Sequence, residues 1–443
     1  MKKVESSKRI LLINPPVHDF AAYDFWAKPS GLLVIADALR EKGALPVLVD
    51  AMDPRHPMLD GLRPPIRRAD GRGKFFAEHI AKPDCLKDVP RRFKRYGLPP
   101  DRLKKAIRAA GPVEAVLVTC VMTYWYPGAF EAIAAAKDVF PSVPVILGGT
   151  YATLCEDHAR KYSGADYVLP GRVEQSKQFA DITGFDLNDK TLFPLAMDLY
   201  EKPDYAPVLT SRGCPYRCDY CASKLLFPVY TPRDPDEVVE EIGRARKRGV
   251  VDFAFYDDAL AVSRETRLIP ILEEVLRRGW NLRFHSPNAM HVRGIDDDLA
   301  ILMRRAGFVT VRLGVETTEA ACERRDNKMD PDSLPGVAEA FLKAGWEKGQ
   351  IGAYVLVGIP GQTVEQVEKD INVLWKLGIR PYLAEYSPIP GTKMFEEAVE
   401  ISRYKLETEP LTQNNSTLPC ASESFTLDDL QKMKENSWPK KNK

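Results

Sequence analysis

The chain has 443 residues, 44% of them hydrophobic and 28% charged, with a formal net charge of +1. That length can bury a large core and divides into two or three domains, while the near-neutral charge excludes a global pull toward nucleic acid or an anionic membrane. The N-terminus lacks the apolar core of a signal peptide, no run approaches the ~18 apolar residues of a membrane span, and eight cysteines suit a reducing compartment better than a disulfide framework, so a cytoplasmic protein with no membrane partner is expected.

Arg9 to Ile13 is an aliphatic run that stops at Asn14-Pro15-Pro16, as a parallel strand ending in a loop does. Leu32, Leu33, Ile35, Ala36 and Leu39 recur at helical spacing before Gly43, and Pro46 to Asp50 reads as a second strand. Strand, helix, strand is a βαβ unit, whose loops at the C-terminal strand edge are where such sheets bind ligands. From Arg63 to Lys105 the pattern breaks, with fourteen Lys or Arg against five Asp or Glu and repeated prolines. This basic insertion, about residues 54–110, reads as a solvated segment, or alternatively as a patch for an anionic partner; Phe75, Phe76, Phe93 and Tyr96 predict that part of it packs down.

The sheet resumes at Ala115 to Cys120, followed by the aromatic loop Tyr124-Trp125-Tyr126, a helix from Ala129 to Phe140, a strand Val143 to Leu147 ending in Gly148-Gly149, and a short strand Ala165 to Leu169. Residues 1–175 therefore form a Rossmann-like, doubly wound α/β domain, and 176–204, rich in Asp and Lys, read as a linker. After the strand-like run Ala206 to Ser211 come Cys214, Cys218 and Cys221 at C-x3-C-x2-C spacing. Three thiolates that close together can hold one face of an inorganic cluster, and no fourth ligand follows locally, so one metal position stays open. Cys85, Cys120, Cys155, Cys322 and Cys420 are scattered and read as incidental small side chains.

Helices then alternate with strands Val251 to Tyr256, Leu282 to His285, Thr310 to Gly314, Gly352 to Val357 and Tyr382 to Tyr386. With the strand before the cysteines this makes six βα units, too few for the eight units and roughly 250 residues of a closed barrel, so residues 205–400 are predicted to form a partial (β/α)6 barrel. Residues 401–443 are a short C-terminal extension with a helix near Leu427 to Glu435.

The cysteine spacing, with Tyr220 just before the third cysteine, resembles the radical S-adenosylmethionine (radical SAM) superfamily, whose fold is the six-stranded partial barrel. The resemblance implies a 4Fe-4S cluster on Cys214, Cys218 and Cys221, S-adenosylmethionine (SAM) chelated at the open iron, and reductive cleavage to a 5′-deoxyadenosyl radical. Tyr256-Asp257-Asp258 stands where the superfamily has Gly-Gly-Glu, so Asp257 and Asp258 are the implied partners of the SAM ammonium; a carboxylate there is a charge-assisted acceptor, and the alternative is a helix N-cap. By the same resemblance Ser286 or Asn288 and Arg312 or Glu316 would bind the SAM carboxylate and ribose, and Val357 and Ile389, in Gly358-Ile359-Pro360-Gly361 and Ser387-Pro388-Ile389-Pro390-Gly391 surroundings, would flank adenine. No side chain is singled out as a catalyst.

The front domain resembles the N-terminal cobalamin-binding domain carried by many radical SAM proteins. Asn14, Thr119, Tyr124, Trp125, Gly148 and Gly149 are the implied cobalamin contacts; the loop after the first strand has no D-x-H-x-x-G, so a histidine lower ligand is not implied. Together these resemblances point to cobalamin-dependent methyl transfer to an unactivated carbon. The alternatives are a cobalamin-independent radical SAM oxidation, cyclisation, rearrangement or C–S bond formation, and a non-enzymatic iron-sulfur sensor. An electron donor such as a flavodoxin or ferredoxin and a small-molecule or peptide substrate are the expected partners; nucleic acid is not, since no RNA-binding module is evident.

Overall fold

A computed structural model describes residues 8–188, 194–319 and 325–437. They divide into two compact units, residues 1–203 with 408–412 and residues 204–407 with 413–443. Cys322 lies outside the described residues. The other seven cysteines are free thiols, and among the described residues no helix is long and apolar enough to cross a membrane.

The first unit is built on β1 (Arg9–Asn14), α1 (Ser30–Glu41), β2 (Leu45–Asp50), α2 (Pro100–Ala109), β3 (Ala115–Thr119), α3 (Tyr126–Val139), β4 (Val145–Gly148) and β5 (Tyr167–Val168). The strands form one parallel sheet in the order β5-β4-β3-β1-β2. Ile10 to Ile13 and Ala115 to Val118 are wholly buried because helices cover both faces, which is why these strands are continuous aliphatic runs. Chain order reverses between β1 and β3, and in open α/β sheets the ligand crevice lies outside the strand ends at that switch point.

The basic insertion is folded. Val17–Asp19, Lys94–Tyr96 and Ala77–His79 pair as a three-stranded antiparallel sheet. The insertion closes on α2, whose Leu103, Ala106 and Ile107 join the core of Leu11, Ile13 and Val116. Pro99-Pro100 reads as loop in the sequence, yet Pro100 is the first helical residue, where its missing N–H costs nothing, and Asp101 and Arg108 complement the helix dipole. Arg95, one of the insertion's fourteen cations, is buried against Glu131 at 2.6 Å.

The described residues between 176 and 203, in the segment expected to be a linker, belong to the first unit: Phe179, Leu187 and Tyr200 are buried, and the Tyr200 hydroxyl donates to Asp50 Oδ2 at 2.6 Å. The extension is likewise divided, with Leu411 packing on Phe20, Leu86, Val89 and Phe93 of the first unit. The helix Leu427–Asn436, in the second unit, starts at a Thr426/Asp429 capping box.

The second unit alternates β6 (Tyr205–Val208), α4 (Pro235–Lys247), β7 (Asp252–Phe255), α5 (Leu268–Arg277), β8 (Arg283–Met290), α6 (Asp297–Ala306), β9 (Phe308–Glu316), α7 (Leu334–Lys343), β10 (Ile351–Val357), α8 (Val364–Lys376) and β11 (Arg380–Glu385), then α9 (Lys393–Ile401). All six strands are parallel, in the order β6 to β11, the expected architecture. Phe253, Phe255, Phe284 and Phe308 fill the sheet's core, the rings of Phe255 and Phe308 stacking at 5.5 Å. Strand β8 runs on to Met290, so Ser286 and Asn288 lie inside an irregular strand rather than beyond it.

Candidate functional site

The cysteine loop leaves β6 at the C-terminal edge of the parallel sheet, where βα loops carry the sites of such folds. It is tied down from two directions. The Asp219 amide donates to the Arg325 carbonyl at 2.9 Å, Arg325 pairs with both Asp219 and Glu397, and the Met394 amide of α9 donates to the Asp219 carbonyl at 2.9 Å. The Tyr220 hydroxyl donates to Asp326 at 3.0 Å, with the side chain packed against the buried cluster of Tyr386, Met394 and Phe395. The loop is thus a fixed scaffold for its three thiols.

Cys214, Cys218 and Cys221 all border one cavity of about 560 Å³, together with Tyr220, Asp258, Asn288, His291 and Lys328. Cys214 is buried and Cys221 exposed, and the Ser223 amide points to Cys221 Sγ at 3.4 Å. Among the described residues no three His, Cys, Asp or Glu side chains are close enough to grip one ion. Three cysteine thiols around one cavity are a donor set that fits an iron-sulfur cluster, in which each iron takes one thiolate.

The carboxylates of the Asp pair part company. Asp257 is 2% exposed; it accepts from the Thr210 amide at 3.1 Å and from the hydroxyls of Thr210 and Ser211 at 2.6 Å, and it pairs with Arg267 at 3.2 Å. Arg267 is itself fully buried and donates to the carbonyls of Ala259, Leu260 and Val262. Asp257 is consumed by this network and does not border the cavity, contrary to its expected role toward an ammonium group. Asp258 does border it, with burial holding its carboxyl above the ordinary range while bonds from Ser223 and the Gly213 amide oppose that shift.

Asn288 reaches the cavity and is oriented by its donation to the Asp257 carbonyl at 2.8 Å. Ser286 does not: it is buried and accepts from the Arg312 amide at 3.2 Å. Arg312 lies away from the cavity too, its guanidinium stacked 4.2 Å over the Tyr382 ring and donating to the Val311 carbonyl and the Tyr382 hydroxyl. Glu316 ends β9 in a left-handed conformation, φ 62°, and accepts from Lys328 at 2.6 Å. Val357 is buried. The turn after it is closed by Gln362, which accepts from the Gly358 amide and donates to the Leu356 carbonyl. Ile389 is half-buried, and its carbonyl anchors Thr392, the residue that brings Gly391 to Lys393 to the cavity rim.

Two cavity residues were not singled out from the sequence. Lys328 is 6% exposed and pairs with Glu316; burial alone pushes its pKa down, and the pair outweighs it. His291 is 5% exposed, 4.7 Å edge-on to Tyr216, and burial pulls its pKa down to about 4, so the ring is neutral.

In the first unit the six residues proposed for cobalamin stand near the switch point, but several are spent internally. Asn14 donates to Asp50 at 2.6 Å, Trp125 donates to Asp19 at 2.7 Å, and Tyr124 and Thr119 are buried. Gly149, at φ 91°, is required by the chain itself: a Cβ there would sit 2.7 Å from Thr119 Oγ1 and 2.9 Å from the Cys120 carbonyl oxygen. The open ledge consists of Gly148, half-exposed Met122 and Val121, which is 44% exposed. Small and apolar groups left open at strand ends suit the face of a corrin.

Residues 208–374 match the radical SAM superfamily. Among named relatives, an uncharacterized methyltransferase of Pyrococcus horikoshii is 28% identical over 339 residues, 67% of this chain and 72% of that protein. The anaerobic magnesium-protoporphyrin IX monomethyl ester cyclase of Cereibacter sphaeroides is 27% identical over 67% of this chain, which spans only 55% of the cyclase, and the hopanoid C-2 methylase of Rhodopseudomonas palustris is 29% identical over 44% of this chain and 41% of the methylase. In structure, the radical SAM methyltransferase TsrM from Kitasatospora setae, solved with cobalamin and a 4Fe-4S cluster, shares the fold at TM-score 0.65 and 16% identity over 90% of this chain and 76% of TsrM. The radical SAM domain thus contains the cysteine loop and most of its cavity.

Proposed function

We propose that this radical SAM enzyme is a cobalamin-dependent methyltransferase acting on an unactivated carbon in a reducing, cytoplasmic setting. The observation that carries the radical SAM part is the single cavity bordered by all three motif cysteines, Asp258 and Asn288 at the C-terminal edge of a six-stranded parallel sheet. The methyl-transfer part is supported by relatives named as methyltransferases and by the TsrM fold.

Cluster and SAM together supply one-electron cleavage to methionine and a 5′-deoxyadenosyl radical, and cobalamin supplies a methyl carrier. The chain's residues supply position and electrostatics. Cys214, Cys218 and Cys221 would hold three irons and leave the fourth open. Asp258 and the Asn288 carbonyl oxygen would accept from the SAM ammonium, and Tyr220 fixes the loop through Asp326. Burial around Cys214 and Asp258 would lower the local polarity on that side of the cavity. Val121, Met122 and Gly148 would meet the corrin. A reduced flavodoxin or ferredoxin is the proposed electron source.

The test is anaerobic reconstitution with iron, sulfide and hydroxocobalamin, then gel filtration and metal analysis of the wild type and a Gly148→Arg variant. About one cobalt per chain in the wild type, lost in the variant with iron unchanged, supports the proposal. Iron without cobalt in the wild type refutes the methyl-transfer reading and turns attention to cobalamin-independent radical SAM chemistry.

A further inference from the structure

The first unit carries a two-faced ribbon where the segment after β1 meets the basic insertion. Tyr23–Asp24 and Gly73–Lys74 pair antiparallel, with Tyr23 opposite Lys74 and Asp24 opposite Gly73, and Arg67 bridges Gly73 from the other side. Side chains alternate across such a ribbon. Asp24, Gly73 and Arg67 therefore share one face, while Tyr23, Phe25, Lys74, Ile66 and Arg68 share the other.

The inner face is closed. Asp24 is wholly buried and pairs with Arg67 at 2.6 Å. Trp26, also buried, donates to the Asp70 carbonyl at 2.7 Å and lies 4.5 Å from the Arg72 guanidinium. Its φ of 68° is a left-handed conformation that a tryptophan keeps only where the surroundings fix it. A Cβ on Gly73 would come 2.8 Å from the Arg67 Cα, so the strands approach this closely only with glycine there.

The outer face is open. Tyr23 is 37%, Phe25 50% and Ile66 69% exposed, with the Tyr23 and Phe25 rings 4.8 Å apart. Large apolar side chains grouped on an exposed face mark an interaction surface, where single ones would not. Charge identifies the partner. Residues 61–76 carry five Lys or Arg against one Asp, and the ribbon's two acids are spent, Asp24 on Arg67 and Asp70 on Arg72 at 2.6 Å each. Arg63, Arg68 and Lys74 remain exposed. A bilayer leaflet with anionic headgroups complements both features: phosphates meet the cations, the acyl boundary takes Phe25 and Ile66, and Tyr23 sits at headgroup level, as interfacial anchors do. A nucleic acid would serve the rings and cations but offers nothing to Ile66, the most exposed of the three.

We propose that this ribbon face docks the protein on an anionic lipid surface, independently of the reaction the second unit performs. The near-neutral total charge gives no general attraction, so the docking is local. Sedimentation of the full chain with vesicles of about 30% phosphatidylglycerol in phosphatidylcholine, and with pure phosphatidylcholine, measures it. The wild type is expected to prefer the anionic vesicles about tenfold or more, and salt to weaken the preference. Arg68→Ala with Lys74→Ala is expected to cost about fivefold per cation, and Phe25→Ser with Ile66→Ser about tenfold, at unchanged melting temperature since all four side chains are exposed. Emission of a Phe25→Trp variant is expected to shift to shorter wavelength on anionic vesicles, reporting entry into the apolar boundary.

A wild type with no preference for anionic vesicles overturns the proposal. So does an unshifted Phe25→Trp emission with Phe25→Ser/Ile66→Ser indifferent, which would reduce the contact to diffuse charge. Binding of a single-stranded oligonucleotide or of an acidic flavodoxin, lost in the same variants while vesicles are ignored, overturns it as well and gives the face to that partner. If a double variant melts early, the Phe25→Trp emission and the salt dependence decide.

Discussion

Asp257 and Asp258 are adjacent and chemically identical, yet their surroundings assign them opposite tasks, and exchanging each for asparagine separates them. Asp257→Asn keeps shape and removes charge, leaving the fully buried Arg267 facing an amide. Breaking one partner of a buried pair costs roughly 3–5 kcal/mol. Three hydrogen bonds from Thr210 and Ser211 also converge on Asp257, so the upper half of that range is the better expectation. At about 2–4 °C per kcal/mol for a unit of this size, the melting temperature is expected to fall by roughly 8–20 °C. Asp258→Asn, with its carboxyl held by burial against its charge, is expected to leave the melting temperature within about 2 °C and to weaken SAM binding about tenfold or more. Circular dichroism melts of both variants, paired with SAM binding to cluster-loaded protein, read the two effects. A stable Asp257→Asn protein that has lost SAM binding, beside an Asp258→Asn protein that binds normally, would refute this division of roles.

Other perturbations follow from the same contacts. Gly128→Ala would place a Cβ 1.8 Å from the Pro16 carbonyl oxygen, forcing α3 off the loop after β1; overpacking of this kind costs about 1–3 kcal/mol or more, read as a lower melting temperature of the first unit. Burial works against the Glu131 carboxylate, but bonds from His18 and Arg95 outweigh it and hold its pKa below the ordinary range. Stability from a depressed carboxyl is present above its unfolded pKa and lost as pH falls through the folded one, so Glu131→Gln is expected to be less stable than wild type at pH 7 and to converge with it below about pH 4. Denaturant titrations across that range that run parallel would contradict it. Arg325→Ala, which unties Asp219 from Glu397, is expected to hasten loss of iron to a chelator while Arg325→Lys keeps part of the protection.

Much of this was readable in the residues. Period and turn signals gave the strands of both parallel sheets in their succession along the chain, and the cysteine spacing located the cavity. What escaped did so for physical reasons. Helix α2 begins with two prolines, which suit a helix start as well as a loop. Residues 176–203 are polar in sequence, and the buried Phe179, Leu187, Leu195, Met197 and Tyr200 that attach the described part to the first unit follow no single period. Asp257 and Asp258 cannot be told apart without knowing where Arg267 points. Lys328 and His291 lie beyond strand ends, in no motif, and reach the cavity only through the tertiary course of the loops after β9 and β8. Aromatic character drew attention to Tyr124 and Trp125, but a buried ring and a ring bonded to Asp19 serve packing.

The central claim is that Cys214, Cys218 and Cys221 hold a cluster with one iron open to SAM. It is tested most directly by electron paramagnetic resonance of the anaerobically reconstituted, reduced protein before and after SAM is added, with Cys218→Ala alongside. The account predicts about four iron per wild-type chain, a cluster signal that changes on adding SAM, and loss of both iron and signal in the variant. A cluster signal indifferent to SAM, or iron retained in full by Cys218→Ala, would contradict it.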